Sequence, residues 1–209
     1  MRYFEKRRIT FASALIAIAV TGLCLSSGAS LDRLLALARI SARLALPFFL
    51  ISFTASAFYT WRQHAFCAWA LRNRRELGLG FALLQIQHLM VLMAIAVSYP
   101  QHFDFAAPYT FIPGALFYLA VGLLVVTSFA AWKSRMSRKV WKRLHLIGSH
   151  VVWFGFAVAM GIKASESWLF LGILALLFAA MAFRWWGRRS RVKMFAERRG
   201  AAKTCRRTR

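Results

Sequence analysis

The feature that most constrains the fold of this chain is a series of apolar runs, each close to the length of a membrane-spanning helix. Six runs predict such helices, at about residues 10–27, 44–60, 77–98, 114–132, 144–162 and 168–186. A soluble domain of 209 residues could bury one core, but not several segments of this kind, and 60% of the chain is hydrophobic. We therefore expect an all-α fold: a polytopic membrane bundle of six transmembrane helices.

The distribution of positive charge predicts how the six spans are oriented. The formal net charge is +23, and all but four of the 29 Lys and Arg residues flank the predicted spans on the side that carries both termini. Such an excess marks the cytoplasmic side of a membrane protein, so the predicted topology is N-in and C-in. Because topology accounts for the basic residues, no nucleic-acid partner is expected, and membrane lipids are the expected surroundings.

The sequence divides into three parts. Residues 1–43 hold the first predicted transmembrane helix and an amphipathic segment, Asp32–Arg43, that we expect to lie at the membrane interface. Residues 44–186 form the predicted transmembrane core, with Pro47 in the first turn of the second span, where proline is tolerated. Residues 187–209 form a basic cytoplasmic tail with ten Lys or Arg residues and one acid, Glu197.

Histidine is the residue type that the predicted spans offer for chemistry. All six acids lie outside these spans, which disfavours proton-coupled transport. The three cysteines lack the spacing of a metal site or a disulfide framework. His88 lies about halfway along the third span, whereas His145 and His150 lie near the start of the fifth. A haem iron needs two axial donors that face each other at similar depth. A packing or solvated role for each histidine is the alternative.

Spacing and charge narrow this hypothesis. His145 and His150 are five residues apart, which places them about 140° apart around a helix, so they cannot both face one iron. His88 would therefore pair with one of them, and the sequence leaves open which one. Arg74 and Arg75 precede the third span and could bind haem propionates. Their alternative role is to set the topology and to contact lipid headgroups.

Two stretches carry a family resemblance. Arg-Arg-Glu-Leu-Gly-Leu at Arg74–Leu79, followed nine residues later by His88, and Trp-Lys-Arg-Leu-His at Trp141–His145 resemble the ferric-reductase-like transmembrane family. The small size and the absence of a flavin domain are most similar to the haem-binding membrane subunit of the periplasmic methionine-sulfoxide reductase system. The resemblance implies haem b, one copy or two, between the third and fifth spans, with His88 and His145 at ligand positions. Where the family has a further histidine, this chain has Val158, so His150 is an alternative ligand.

The resemblance also implies a function. The chain would be the electron-transfer subunit of an oxidoreductase in a bacterial inner (plasma) membrane. Electrons would come from a quinol or a separate cytoplasmic flavin reductase and leave to a periplasmic oxidoreductase. The chain has no GxGxxG fingerprint, so any NAD(P)H oxidation belongs to a partner. A flavin or a quinone would be a further cofactor, for which the sequence shows no motif. The alternative is a non-enzymatic membrane scaffold or assembly protein whose basic tail binds lipid or a partner.

Overall fold

The computed structural model describes residues 2–26, 28–102 and 108–207, with side chains over residues 8–26, 28–102 and 112–190. Within these ranges every regular element is a helix. In chain order the elements are α1 (Arg2–Leu25), α2 (Leu31–Trp61), α3 (Ala65–Arg72), α4 (Arg74–Ser98), a 3₁₀ turn (Pro100–His102), α5 (Pro108–Val126), α6 (Ala130–Lys133), α7 (Arg138–Ile162) and α8 (Trp168–Arg207).

Five of the described helices are long and apolar enough to cross a membrane. The spans are Arg8–Leu25, Leu31–Trp61, Arg74–Ser98, Arg138–Ile162 and Trp168–Ser190. Many large apolar side chains on these helices face outward, as lipid contact requires; Leu23 and Val97 are each 78% exposed. Helix α5 adds a shorter apolar stretch, Ile112–Val126. The all-α fold is confirmed and its helices suit a membrane protein, whereas six crossings and the N-in, C-in topology stay predictions.

An aromatic cluster holds the centre of the bundle together. The Phe49 ring of α2 lies 5.3 Å from that of Phe81 in α4 and 5.5 Å from that of Phe156 in α7, measured between centroids. Phe117 of α5 joins the cluster through Phe156, at 5.4 Å. Helix α8 packs against α2 and α7. Because lipid is as apolar as these side chains, close packing rather than exclusion of water stabilises the contacts.

The predicted interfacial segment Asp32–Arg43 is the first part of a continuous helix, α2, which runs from Leu31 to Trp61. The apolar positions of this segment are buried against protein: Leu34 and Leu37 pack in a cluster with Val91 of α4. An amphipathic pattern fits a helix–helix contact as well as a membrane surface. The boundary between residues 43 and 44 therefore falls inside one helix.

Two other features of the predicted helices also differ in the structure: the place of Pro47 and the start of the fifth span. Pro47 lies in the interior of α2 rather than in a first turn, a position that transmembrane helices tolerate. The basic segment before the fifth predicted span is partly helical, because α7 already begins at Arg138. Its N-cap is Ser137, whose side chain accepts a hydrogen bond from the Val140 backbone N–H at 3.3 Å. His150 is therefore twelve residues into α7, and His88 is fourteen residues into α4, counted from Arg138 and Arg74.

Candidate functional site

A cavity of about 560 Å³ lies at the end of the bundle where α4 and α7 begin. We call it the basic cavity. Its inner wall is apolar and includes Phe49, Phe81 and Val152. None of its described lining residues is an acid, and six are cations: Arg72, Arg74, Arg75, Lys133, Lys142 and Arg184. A deep apolar space with a cationic rim suits an amphipathic anion.

Arg184 is a buried cation in this rim. Only 6% of the residue is exposed. Its Nη1 donates a hydrogen bond to the Phe53 carbonyl oxygen at 2.7 Å, and its Nη2 donates one to Ser149 Oγ at 3.2 Å. The guanidinium carbon also lies 4.0 Å from the centroid of the Phe53 ring. Ionisable groups buried in a membrane bundle are costly and usually functional. In the sequence Arg184 counts among the cations that predict the topology, and its place at the end of an apolar span was the available signal of a further role.

Close approach of α8 to α2 brings Arg184 to Phe53. Gly187 is one turn beyond Arg184, and Ala57 is one turn beyond Phe53. A Cβ added at Gly187 would lie 2.7 Å from the Ala57 Cβ and 2.8 Å from its Cα. Only glycine fits at such a distance, and small residues are the usual means of close helix contact in membranes.

Arg74 and Arg75 both line the basic cavity, as their predicted place at a helix mouth requires. Arg75 is fixed from two sides: its Nε donates to the Ser128 carbonyl oxygen at 3.0 Å, and its Nη1 lies 3.1 Å from Glu76 Oε1 in a salt bridge. Glu76 is 7% exposed and also accepts a hydrogen bond from Thr10 Oγ1 at 2.8 Å. Glu76 lies within the candidate span Arg74–Ser98 and Asp32 within the candidate span Leu31–Trp61, so the prediction that all acids lie outside the apolar helices is wrong for these two.

His145 also lines the basic cavity. Its Nε2 lies 3.1 Å from Thr127 Oγ1, and that hydroxyl donates its own proton to the Leu123 carbonyl oxygen at 2.6 Å. The hydroxyl therefore accepts from the Nε2–H, which leaves Nδ1 as the nitrogen with a lone pair. The Trp141 ring lies 4.3 Å from the imidazole, between centroids, and fixes its plane.

His88 lies away from the basic cavity, against α2. Its Nδ1 is 2.9 Å from the Ala38 carbonyl oxygen and 3.1 Å from Ser41 Oγ. Because a carbonyl oxygen only accepts, Nδ1 carries the proton and Nε2 has the free lone pair. A backbone carbonyl that orients one ring nitrogen is the arrangement in which the other binds a metal. His88 therefore has the tautomer that a metal ligand needs.

The three histidines do not lie at one level. His88 contacts Ser41, whereas the His150 ring lies 5.9 Å from the ring of Phe53, between centroids. Ser41 and Phe53 are twelve residues apart in α2, a rise of about 18 Å. His145 is five residues earlier in α7 and lies farther still from His88. Two nitrogens on one iron lie only about 4 Å apart, so the structure places neither histidine opposite His88.

His150 faces a different space from His145. Its Nδ1 donates to the Leu146 carbonyl oxygen at 2.6 Å, one turn earlier in α7. Its side chain lines an apolar groove that includes Leu116 and Phe154, not the basic cavity. The structure therefore brings together Arg74, Arg75 and His145 from the predicted site and leaves His88 and His150 at separate places.

No group of three or more His, Cys, Asp or Glu side chains in the described part of the chain is arranged to hold a metal ion. A haem iron takes only two axial donors, so this finding does not bear on haem. Comparisons with protein-family models, with curated proteins and with solved structures gave no match. The ferric-reductase-like resemblance thus stays a prediction from the two stretches that carry it.

Proposed function

We propose that this chain is a membrane protein that binds haem b in the basic cavity and transfers electrons across the membrane. The observation that carries the proposal is the cavity itself: an apolar space of about 560 Å³, a rim of cations, and one imidazole at its wall. Haem is an apolar macrocycle with two carboxylates, so its shape and charge match this arrangement. The volume also lies within the usual range of small-molecule sites, about 300–1,000 Å³.

The residues of the cavity would divide the work of binding. Arg74, Lys142 and Arg184 would pair with the propionates through charge-assisted hydrogen bonds. His145 would bind the iron, through Nδ1 as it stands or through Nε2 once its hydrogen bond to Thr127 is broken. The bound group would supply one-electron chemistry, whereas the protein sets its burial, its orientation and the charge around it.

The level of His88 bears on the number of haems. A single haem between His88 and His145, or between His88 and His150, does not fit the separation of about 18 Å or more along the helices. We therefore propose one haem in the basic cavity, bound by His145. A second haem would use Nε2 of His88, about 18 Å or more away along the helices. Haem stoichiometry with a redox titration distinguishes one centre from two.

We also propose a topology, a membrane and electron-transfer partners for this chain. Helix α5 would complete six crossings, with both termini in the cytoplasm, in a bacterial inner membrane. Electrons would arrive from a quinol or a separate cytoplasmic flavin reductase. They would leave to an acceptor on the opposite side, such as a periplasmic oxidoreductase.

The test is the absorbance of the full chain purified from haem-replete cells. We expect a Soret band that shifts on reduction and that His145→Ala reduces to a small fraction. His64→Ala is the matched control, because His64 is exposed and its Nδ1 only accepts from the nearby Phe66 backbone N–H at 3.4 Å. Colourless protein would refute the haem proposal. Loss of function on deleting residues 187–209, with all histidine variants active, would favour the scaffold alternative.

A further inference from the structure

A second cavity, of about 380 Å³, adjoins the basic cavity at the same end of the bundle. We call it the basic cleft. Its described lining comes from α2, α4, α7 and α8: Ser56, Arg74, Lys142, Arg143, Leu146, Arg184 and Arg188. Five of these seven residues are cations and none is an acid. Like charges gathered in one cleft repel one another, so a bound anion would relieve the repulsion.

An apolar groove continues from this cleft along the outside of the bundle. It has a volume of about 580 Å³ and runs between α5 and α7, and Leu146 and Arg188 line both the groove and the cleft. Along α7 the groove extends from Leu146 to Gly155, a rise of about 14 Å. Its wall includes Ile147 and Phe154, which are 63% and 58% exposed, so the groove is open to the surrounding lipid.

We propose that the basic cleft and the apolar groove together bind one anionic phospholipid. The phosphate would lie in the cleft and an acyl chain would lie in the groove. The shared residues Leu146 and Arg188 make the two spaces continuous, and a free phosphate would use only the first of them. Arginine matches the geometry of phosphate oxygens through paired N–H donors, and the cleft contains four arginines. Basic pockets between membrane helices commonly bind such headgroups.

Arg184 is held ready for this role. Its guanidinium is fixed by the Phe53 carbonyl oxygen, the Phe53 ring and Ser149 Oγ before any ligand arrives. A side chain already ordered loses little conformational entropy on binding. Arg184 lines both the cleft and the basic cavity, whereas Arg143 lines the cleft alone and Arg188 lines the cleft and groove. Variants of these last two residues therefore test lipid binding independently of haem.

The experiment measures lipid binding to the delipidated full chain in detergent at 150 mM salt, by native mass spectrometry. The probes are phosphatidic acid, phosphatidylcholine and inorganic phosphate. The variant is Arg143→Gln with Arg188→Gln, and both residues are exposed, so the fold should be retained. The charge-matched control is Arg138→Gln with Lys139→Gln, which line neither space.

We expect phosphatidic acid to bind the unmodified chain more tightly than phosphatidylcholine does. The double variant should lose roughly 30-fold in affinity for phosphatidic acid, from the removal of two cations. The control pair should lose roughly threefold or less, because salt screens distant charges. Equal binding of the two lipids, or equal losses in variant and control, would overturn the proposal.

A groove variant separates a lipid from a free phosphate. Ile147→Trp fills the groove without changing the charge of the cleft. It should weaken the binding of phosphatidic acid and leave the binding of inorganic phosphate unchanged. If inorganic phosphate binds as tightly as phosphatidic acid, and Ile147→Trp affects neither, the cleft is a site for a soluble phosphate and the lipid proposal is wrong.

Discussion

Replacing Gly187 with alanine should push α8 away from α2 and loosen Arg184. The new Cβ would lie 2.7 Å from the Ala57 Cβ and 2.8 Å from its Cα. Carbon atoms in favourable contact are about 3.5–4.0 Å apart. A rotamer change cannot relieve the overlap, because the obstacles are a backbone atom and the Cβ attached to it. The two helices would have to separate by roughly 1 Å.

The size of the effect follows from two opposing contributions. Overpacking of this kind costs about 1–3 kcal/mol. Alanine also favours the helix over glycine by up to about 1 kcal/mol. The same substitution at Gly172 includes only the second contribution, because a Cβ there meets nothing within 4 Å. Gly172 lies in the same helix, so Gly172→Ala is the matched control, and the two variants should differ by about 1–3 kcal/mol.

The assay is thermal unfolding of the full chain in detergent, followed by circular dichroism at one scan rate. For a chain of this size, each kcal/mol corresponds to about 2–4 °C. Gly187→Ala should therefore unfold about 2–12 °C below Gly172→Ala. If the two variants unfold at the same temperature, the added Cβ is accommodated, and the close approach of α2 and α8 does not position Arg184.

Two further predictions concern topology and the buried arginine. In a cysteine-free background, Gln101→Cys should react with a membrane-impermeant thiol reagent on intact cells, and Ser134→Cys should react only after lysis. The reason is that the N-in topology puts these two residues on opposite sides of the membrane. The reverse pattern of labelling would contradict that topology. Arg184→Gln should lower the free energy of unfolding by about 1–3 kcal/mol, because it removes charged hydrogen bonds and a ring contact. Arg189 is an exposed arginine beside the Trp185 ring, and Arg189→Gln is the control. In the same unfolding measurement it should change the free energy of unfolding by less than about 0.5 kcal/mol.

The helices were largely predictable because an apolar run is a local property of the sequence. The third predicted span, 77–98, matches α4, which begins three residues earlier at Arg74. The fifth predicted span, 144–162, ends where α7 ends, and the sixth, 168–186, begins where α8 begins. The amphipathic pattern of Asp32–Arg43 identifies an apolar face and not the surface that covers it. That surface is the neighbouring helix α4.

The candidate site was predictable only in part. Arg74 and Arg75 begin α4 and His145 lies about two turns into α7, so all three lie near the end of the bundle where the basic cavity opens. The pairing of His88 depends instead on how far one helix slides along another. Contacts such as Ser41 with His88 and Phe53 with His150 decide that offset, and they join residues far apart in the chain.

The sequence by itself determined the class of this protein: apolar helices of membrane-spanning length, basic flanks, and histidines at known positions along those helices. These properties depend on neighbouring residues, through the rise and period of a helix. Only the tertiary structure decided that Arg184 faces inward onto Phe53, and that His88 and His145 lie at different levels. The direction of a side chain around its helix and the offset between two helices come from packing, and single small residues such as Gly187 set both.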